Sequence, residues 1–184
     1  MKKKVVVVIV GPSGAGKSTF IDAMDSLDYV YVTSQPMVDE LNRRGLPVNH
    51  DTIFELSQEW YVEDPFWQVR LIQKVLKGKD FLIVDGSRRL PEVRRLKELF
   101  QTIIIAIVSP PEVRFERLKK RTKIFLDTVD EFIKLECDEQ TTMDVKALVK
   151  IADFVVQNDV SNKVSLQKLR EEGRLLGLFL KVFV

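Results

Sequence analysis

The stretch VVVVIVGPSGAGKSTF, from Val5 to Phe20, decides the fold. It consists of six consecutive apolar residues, a turn rich in glycine, and a segment that continues at helical spacing. This order predicts a strand covered on both faces, then a loop, then a helix. Its centre has the spacing of a phosphate-binding loop, because Gly11 is followed after four residues by Gly16, Lys17 and Ser18.

The chemistry of this loop follows from its residue types. Glycines allow successive backbone N–H groups to point at one anion, and the start of the helix adds the positive end of its dipole. We expect Lys17 to reach the β- and γ-phosphates of a nucleotide and the Ser18 hydroxyl to bind Mg²⁺. The predicted nucleotide contacts are the whole loop: Gly11, Pro12, Ser13, Gly14, Ala15, Gly16, Lys17, Ser18 and Thr19.

Composition limits the class of protein. A chain of 184 residues with 45% hydrophobic residues is consistent with a single domain, residues 1–184. The formal net charge of +2 predicts neither a nucleic acid nor a membrane partner. One cysteine, Cys137, and one histidine indicate a cytoplasmic protein without a metal cluster. The apolar segment from Leu175 to Val184 is too short to span a bilayer; we expect it to pack on its own sheet, with a homodimer contact as the alternative.

Short apolar runs recur along the chain and alternate with helical patterns. The runs are Val5 to Val10, Tyr29 to Thr33, Phe81 to Val84, Ile103 to Val108 and Phe154 to Val156. Alternating strands and helices predict a three-layer α/β fold with a five-stranded parallel sheet and helices on both faces. Residues 37–78 are helical in pattern and form a predicted insertion. We expect the aromatic residues near its break at Glu63 to Pro65 to be mostly core, with base stacking as the alternative.

The run FLIVDGSRR places a carboxylate and two arginines after the third strand. Asp85 ends the strand, where parallel sheets present functional side chains. A carboxylate there can hold Mg²⁺ through its waters or orient an attacking hydroxyl. Arg88 and Arg89 beside it would suit the phosphate of an acceptor molecule.

A third group of charges follows the fourth strand. SPPE, Ser109 to Glu112, predicts a helix that begins with a capping box, as does TVDE, Thr128 to Glu131. Arg114, Arg117 and Arg121 lie at spacings of three and four on one face of the first of these helices. Such a stripe is either a solvated face or a set of cations near a transferring phosphoryl group.

The assembly resembles the P-loop nucleoside-monophosphate kinase superfamily, and within it the adenylate-kinase-related, mainly archaeal proteins similar to dephospho-CoA kinases. The resemblance extends from the glycine loop to about Ser161 and rests on four further segments. They are VDELNRRGL from Val38, VDGSRRLPEV from Val84, SPPEVRFERLKKR from Ser109, and ADFVVQND from Ala152.

The resemblance implies ATP as phosphoryl donor, Mg²⁺, and a nucleotide-like acceptor. It implies that Asp39 and Arg43 lie near the acceptor, with Arg88 on its phosphate and Asp85 serving metal or acceptor. The remaining implied positions lie on the donor side: Arg117 and Arg121 on the donor phosphates, and Gln157 and Asn158 beside the adenine.

The sequence departs from the family at the lid, residues 122–142. Family members tend to carry further arginines here, whereas this chain has Cys137 and Glu139 at the corresponding positions. The alternative is a shifted alignment, in which Lys123 or Lys134 supplies the charge. The predicted function is phosphoryl transfer from ATP to a nucleoside monophosphate. The alternatives are a kinase of dephospho-CoA or another metabolite, and a nucleotide-binding module with little or no turnover.

Overall fold

The computed structural model describes residues 4–24, 29–120, 128–159 and 163–183. The strands are β1 (Val5–Val10), β2 (Val30–Val32), β3 (Phe81–Asp85), β4 (Gln101–Val108) and β5 (Phe154–Gln157). Within the same ranges the helices are α1 (Lys17–Ala23), α2 (Gln35–Arg44), α3 (His50–Glu63), α4 (Trp67–Val75), α5 (Leu90–Leu99), α6 (Pro111–Lys119), α7 (Val129–Cys137), α8 (Val145–Lys150) and α9 (Lys163–Phe183). A π-helical turn, Asp138–Thr142, follows α7.

The five strands form one parallel sheet in the order β2-β3-β1-β4-β5. The strand that precedes the glycine loop is the central one, and Val7 pairs with Ile83 on one side and Ile103 on the other. The predicted α/β fold with a five-stranded parallel sheet is therefore confirmed. Ligands of such sheets bind beyond the carboxyl ends of the strands, which is where the glycine loop and Asp85 lie.

The unbroken apolar run of β1 is explained by the layers on its two faces. Val6, Val8 and Val10 face a core formed with α4, α5 and α8, whereas Val7 and Ile9 face a core formed with α1 and α9. All five side chains are fully buried. A strand that is covered on both faces cannot alternate apolar with polar residues, so the run is continuous.

The predicted helical insertion, residues 37–78, contains most of α2 and all of α3 and α4. Met37, Leu41 and Leu56 form a small separate core, against which Trp60 and Trp67 pack. The two indole rings meet edge to face at 4.8 Å between centroids, an arrangement that aromatic quadrupoles favour. This small core joins α2 to α3, whereas α4 also packs on the main sheet through Val69 and Ile72.

One of the two predicted capping boxes is present. Thr128 Oγ1 accepts the backbone N–H of Glu131, and Glu131 accepts the backbone N–H of Thr128. The box predicted from Ser109 is wrong, because α6 begins after Pro110 without a side-chain cap. The Ser109 hydroxyl instead accepts a hydrogen bond from Arg117 at 3.2 Å.

The C-terminal helix α9 packs against α1. A Cβ atom on Gly177 would strike the carbonyl oxygen of Met24, so the small residue permits close approach of the helices. On the same helix Leu175, Leu178 and Phe179 are about half exposed. The predicted homodimer contact on this segment stays a prediction. The helices described here are too short or too polar to cross a membrane.

Candidate functional site: a phosphate-binding loop between two cavities

The glycine loop is held in a conformation that two of its glycines make possible. Gly11 and Gly16 have φ angles of 133° and 108°, values that residues with a Cβ rarely adopt. A Cβ on Gly11 would overlap the carbonyl oxygen of Ile107, and one on Gly16 would lie 2.5 Å from the side-chain nitrogen of Asn158. The loop therefore wraps closely onto β4 and the chain that follows β5.

Lys17 folds back across the mouth of the loop. Its ammonium group donates to the carbonyl oxygens of Gly11 at 2.8 Å and Pro12 at 3.0 Å. These bonds hold the cation on the side of the loop where a phosphate chain would bind. Ser18 is exposed in the first turn of α1.

A cavity of about 230 Å³ opens over the loop, and of the predicted nucleotide contacts Ser13, Gly14, Gly16, Lys17 and Ser18 line it. Lys17, Ser18 and Asp85 all line it. A hydroxyl and a carboxylate are hard oxygen ligands, the kind that Mg²⁺ prefers when substrate phosphates supply the remainder. The residues present thus fit a magnesium ion bound jointly with a nucleotide. Among the described residues there is no cluster of three acidic, histidine or cysteine side chains that could hold a metal unaided.

A second cavity of about 280 Å³ lies between the loop and helices α2 to α5. Its lining is mainly apolar, and it includes residues that sequence reasoning did not assign: Met37, Val38, Val48, His50, Ile53, Phe54, Trp67, Gln68, Glu92, Leu135 and Met143. Ser13 and Arg88 line this cavity and the first one as well. Thr33, Ser34 and Gly86 also line both cavities, so the two spaces adjoin along these five residues, and Arg88 is the charged one among them.

Arg88 lies at the junction and is bound to the lid. Its guanidinium forms an ion pair with Glu139 and donates to the Ser13 hydroxyl at 3.2 Å. Glu139 is 1% exposed, and its carboxylate also accepts the backbone N–H of Ser13 at 3.1 Å. Burial opposes ionisation of Glu139, but the charges of Arg88 and Lys17 and the bonds to Ser13 outweigh it and lower its pKa below the ordinary value.

Two buried polar side chains face the second cavity. Gln68 is 8% exposed, and its side-chain oxygen has no hydrogen-bond partner among the described residues. Glu92 is 3% exposed, and burial raises its pKa to about 8; Asp144 adds to this rise, whereas Arg89 opposes it. A buried oxygen without a partner is costly, so Gln68 presents an unsatisfied acceptor at the wall of this cavity.

The raised pKa of Glu92 predicts a specific dependence of stability on pH. The carboxyl loses its proton at about pH 4.5 in the unfolded chain but near pH 8 in the folded one. The folded state then binds more protons, so this group makes the free energy of unfolding fall by up to about 1.4 kcal/mol per pH unit as pH rises between these values. We expect Glu92→Gln to remove this slope in urea denaturation curves taken from pH 5 to pH 8.

The matched control for that measurement is Glu98→Gln on the same helix, whose carboxylate is exposed and pairs with Arg95. This variant should keep the wild-type slope. Equal slopes for the wild type and Glu92→Gln would show that Glu92 is ionised in the folded protein throughout this range.

The arginine stripe on α6 is divided between two tasks. Arg114 is 3% exposed and pairs with Glu136 through two contacts of 2.6 Å, so it is a structural residue. Arg117 donates to the carbonyl oxygens of Gly14 and Ala15 at 3.3 Å and also contacts Asn158. Arg117 therefore binds the glycine loop through the loop's carbonyl oxygens. Arg121 and Lys123 lie outside the described residues.

The chain after β5 supports the loop from beneath. Asn158 is 4% exposed and donates from its side chain to the carbonyl oxygen of Ala15 at 2.8 Å. Gln157 is exposed at the end of the strand. The placement of both beside an adenine base stays a prediction.

The remaining predicted acceptor residues lie apart from this junction. Asp39 is exposed on α2, where its carboxylate accepts a hydrogen bond from Gln35 at 2.8 Å. Arg43 pairs with Glu40 on the same helix. Neither Asp39 nor Arg43 lines either cavity. Arg89 does line the second cavity, and its guanidinium stacks on a tyrosine ring at 3.7 Å. The structure therefore brings Arg88 and Arg89 to the second cavity and leaves Asp39 and Arg43 on the outer face of a helix.

Comparison with known proteins agrees with this architecture. Residues 10–129 match the family described as AAA domain. The UPF0200 protein of Methanocaldococcus jannaschii is 31% identical over 171 residues, with 89% of this chain and 86% of that protein covered. A UPF0200/UPF0201 protein of Archaeoglobus fulgidus is 30% identical over 174 residues, and the chain spans about half (54%) of its length.

Two of the solved structures with similar folds are a shikimate kinase and a gluconokinase. Shikimate kinase from Bacteroides thetaiotaomicron superposes with a TM-score of 0.57 at 13% identity, over 95% of this chain and 98% of that one. A gluconokinase from Sinorhizobium meliloti gives a TM-score of 0.55 at 16% identity, over 98% and 95% of the two chains. At these identities the likeness establishes the fold. The chain therefore belongs to the AAA domain family and to the UPF0200 proteins, and it has the P-loop fold of nucleoside-monophosphate-kinase-like proteins.

Proposed function

We propose that the protein transfers the γ-phosphoryl group of ATP to a nucleotide-like acceptor, a nucleoside monophosphate in the first instance. The observation that carries this proposal is the junction of the two cavities at Ser13 and Arg88. A donor in the loop and an acceptor in the second cavity would meet there with their phosphates adjacent. Phosphoryl transfer depends mainly on such positioning and on neutralising charge.

On the donor side the loop supplies backbone N–H groups and Lys17 supplies a cation. We assign Ser18 and Asp85, which line the same cavity, to Mg²⁺, which when bound would screen the charge on the phosphate oxygens. Lys17 would exchange its carbonyl partners for phosphate oxygens on nucleotide binding. Asp85 is also placed to orient the attacking hydroxyl of an acceptor.

On the acceptor side the cavity combines an apolar body with polar ends. Phe54 and Trp67 contribute aromatic surface, and Arg88 contributes a cation at the end nearest the loop. Gln68 offers an unpartnered acceptor oxygen within the apolar part. A flat ring that carries N–H groups and is joined to a phosphate would satisfy all of these groups, which favours a nucleoside monophosphate over a purely polar metabolite. Dephospho-CoA is the alternative acceptor.

One observation favours a second candidate function, nucleotide binding with little or no turnover. The lid places the Glu139 carboxylate against Ser13 and Arg88, where a kinase lid would supply cations. Loss of a single arginine of this kind lowers turnover by about 10³ to 10⁵ in related chemistry. The same site would still bind a triphosphate.

The experiment that separates these candidates measures ADP release from Mg-ATP by the purified chain. Nucleoside monophosphates and dephospho-CoA are added in turn, and the rate without an acceptor is subtracted. We expect one class of acceptor to increase ADP release and to be recovered in phosphorylated form. If calorimetry detects ATP binding but no acceptor increases the rate, the kinase proposal fails and the binding module stands.

A further inference from the structure

The Glu139 carboxylate is an anion that binds to the glycine loop through donors that could also hold a phosphate. Both carboxylate oxygens lie 3.1 Å from the Ser13 backbone nitrogen, and the Ser13 hydroxyl donates to one of them at 2.6 Å. Arg88 pairs with the same oxygen. A backbone N–H, a hydroxyl and a guanidinium converging on one carboxylate are the donors that a phosphate oxygen also requires.

The position of this carboxylate within the loop identifies which phosphate it replaces. In loops of this spacing the N–H groups towards the helix hold the α- and β-phosphates. Ser13 lies in the first half of the loop, and it also lines the acceptor cavity. Glu139 is thus bound at the junction of the two cavities, where the transferring phosphoryl group would lie.

We propose that Glu139 occupies the γ-phosphate position as an internal anion, and that ATP must displace it whereas ADP need not. This inference rests on the proposed function, because it assumes that the donor triphosphate binds in the loop. Two anions cannot share one set of donors, so each opposes the binding of the other. Glu139 consequently sets the preference of the loop between a triphosphate and a diphosphate.

Displacement of Glu139 would also change the acceptor side. Arg88 is held by Glu139, and it is the cation we assign to the acceptor phosphate. Departure of the carboxylate releases Arg88 towards the second cavity. Binding of ATP is then coupled to binding of the acceptor through this one ion pair, and the coupling must be reciprocal.

The lid is built so that this contact can be broken locally. Glu139 lies in the π-helical turn Asp138–Thr142, a conformation that is rare and costly compared with an α-helix. The turn is followed by the extended residue Met143. Rotation of this short segment would withdraw the carboxylate while the N-terminal turn of α7 stays held by its capping box.

The test is isothermal titration calorimetry of Mg-ADP and of a non-hydrolysable Mg-ATP analogue. The protein is the full chain, as wild type and as Glu139→Gln. The amide keeps the shape and can still accept from Ser13, but it removes the charge. We expect Glu139→Gln to increase affinity for the ATP analogue relative to ADP by roughly tenfold or more. The reason is that one hydrogen bond to a charged group contributes enough free energy to change a dissociation constant by this factor.

Two further variants sharpen this test. Glu139→Asp retains the charge and should keep the ratio closer to that of the wild type. Glu98→Gln removes a carboxylate from an ion pair on the surface of α5 and should leave the ratio unchanged. Thermal unfolding of each variant identifies any that does not fold, and Glu139→Asp then serves as the comparison.

The outcomes distinguish this inference from the function on which it rests. If both nucleotides bind but their affinity ratio in Glu139→Gln stays within twofold of the wild type, Glu139 is only a structural tie between lid and loop, and the inference is overturned. If neither nucleotide binds to any folded variant, the proposed function fails and the inference fails with it.

Discussion

Lys17→Ala is expected to lower the rate of phosphoryl transfer by on the order of 10³-fold while leaving the fold intact. The ammonium group makes hydrogen bonds of 2.8 and 3.0 Å to two carbonyl oxygens of its own loop. The substitution removes two part-buried hydrogen bonds and no core contact, so the expected loss of stability is about 1 to 2 kcal/mol. Without Lys17 the transferring phosphoryl group would lose a side-chain cation that stabilises its charge in the transition state. The value of kcat should therefore fall.

The measurement is kcat/KM for Mg-ATP with the best acceptor from the panel, together with the thermal midpoint of each variant. Lys74→Ala removes an exposed lysine from α4 and is the matched control. It should behave as the wild type in both measurements. A Lys17→Ala enzyme that retains more than one third of wild-type kcat/KM would remove this lysine from the proposed mechanism.

The glycine loop and the strand before it were predictable because their signals are local. Nine consecutive residues carry the spacing, and the apolar run of β1 follows from burial on both faces. Asp85 and Arg88 could be placed near the loop for a related reason: Asp85 ends β3, which pairs with β1, and Arg88 lies three residues further on. Sequence order and parallel pairing together determine this part of the site.

The lid contact could not be read from sequence in the same way. Ser13 and Glu139 are 126 residues apart, and their contact depends on how the lid folds back over the sheet. The sequence showed only that a glutamate stands where an arginine was expected. Gln68 and Glu92 were missed for a similar reason, since a helix residue gains chemical meaning only when its helix is packed beside a cavity.

The error at Ser109 illustrates competition between local and long-range partners. The pattern SPPE satisfies the rule for a capping box, but the hydroxyl is bound by Arg117, which also ties the loop carbonyls. A guanidinium that serves several oxygens outcompetes a single helix cap. Helical periodicity correctly placed Arg114 and Arg117 on one helix, but it could not separate their roles.

Arg114→Ala is the substitution for which we expect the largest loss of stability, about 3 to 5 kcal/mol in the free energy of unfolding. The guanidinium is buried, pairs with both oxygens of Glu136, and donates to the carbonyl oxygens of Ser109 and Ser13. Truncation leaves a partly buried carboxylate and two carbonyl oxygens without this donor. Those unpaired groups account for most of the expected loss.

Urea denaturation compares Arg114→Ala with Arg95→Ala, which removes an exposed ion pair with Glu98. The comparison separates the effect of burial from the effect of losing one positive charge. The exposed pair should contribute less than about 1 kcal/mol. A double variant, Arg114→Met with Glu136→Leu, should recover part of the loss because it leaves no unpaired charge. A loss below about 1 kcal/mol for Arg114→Ala would contradict the assignment of Arg114 as a structural residue. Arg114 also donates to the Ser13 carbonyl oxygen. Arg114→Ala should therefore both destabilise α6 and change the shape of the phosphate-binding loop.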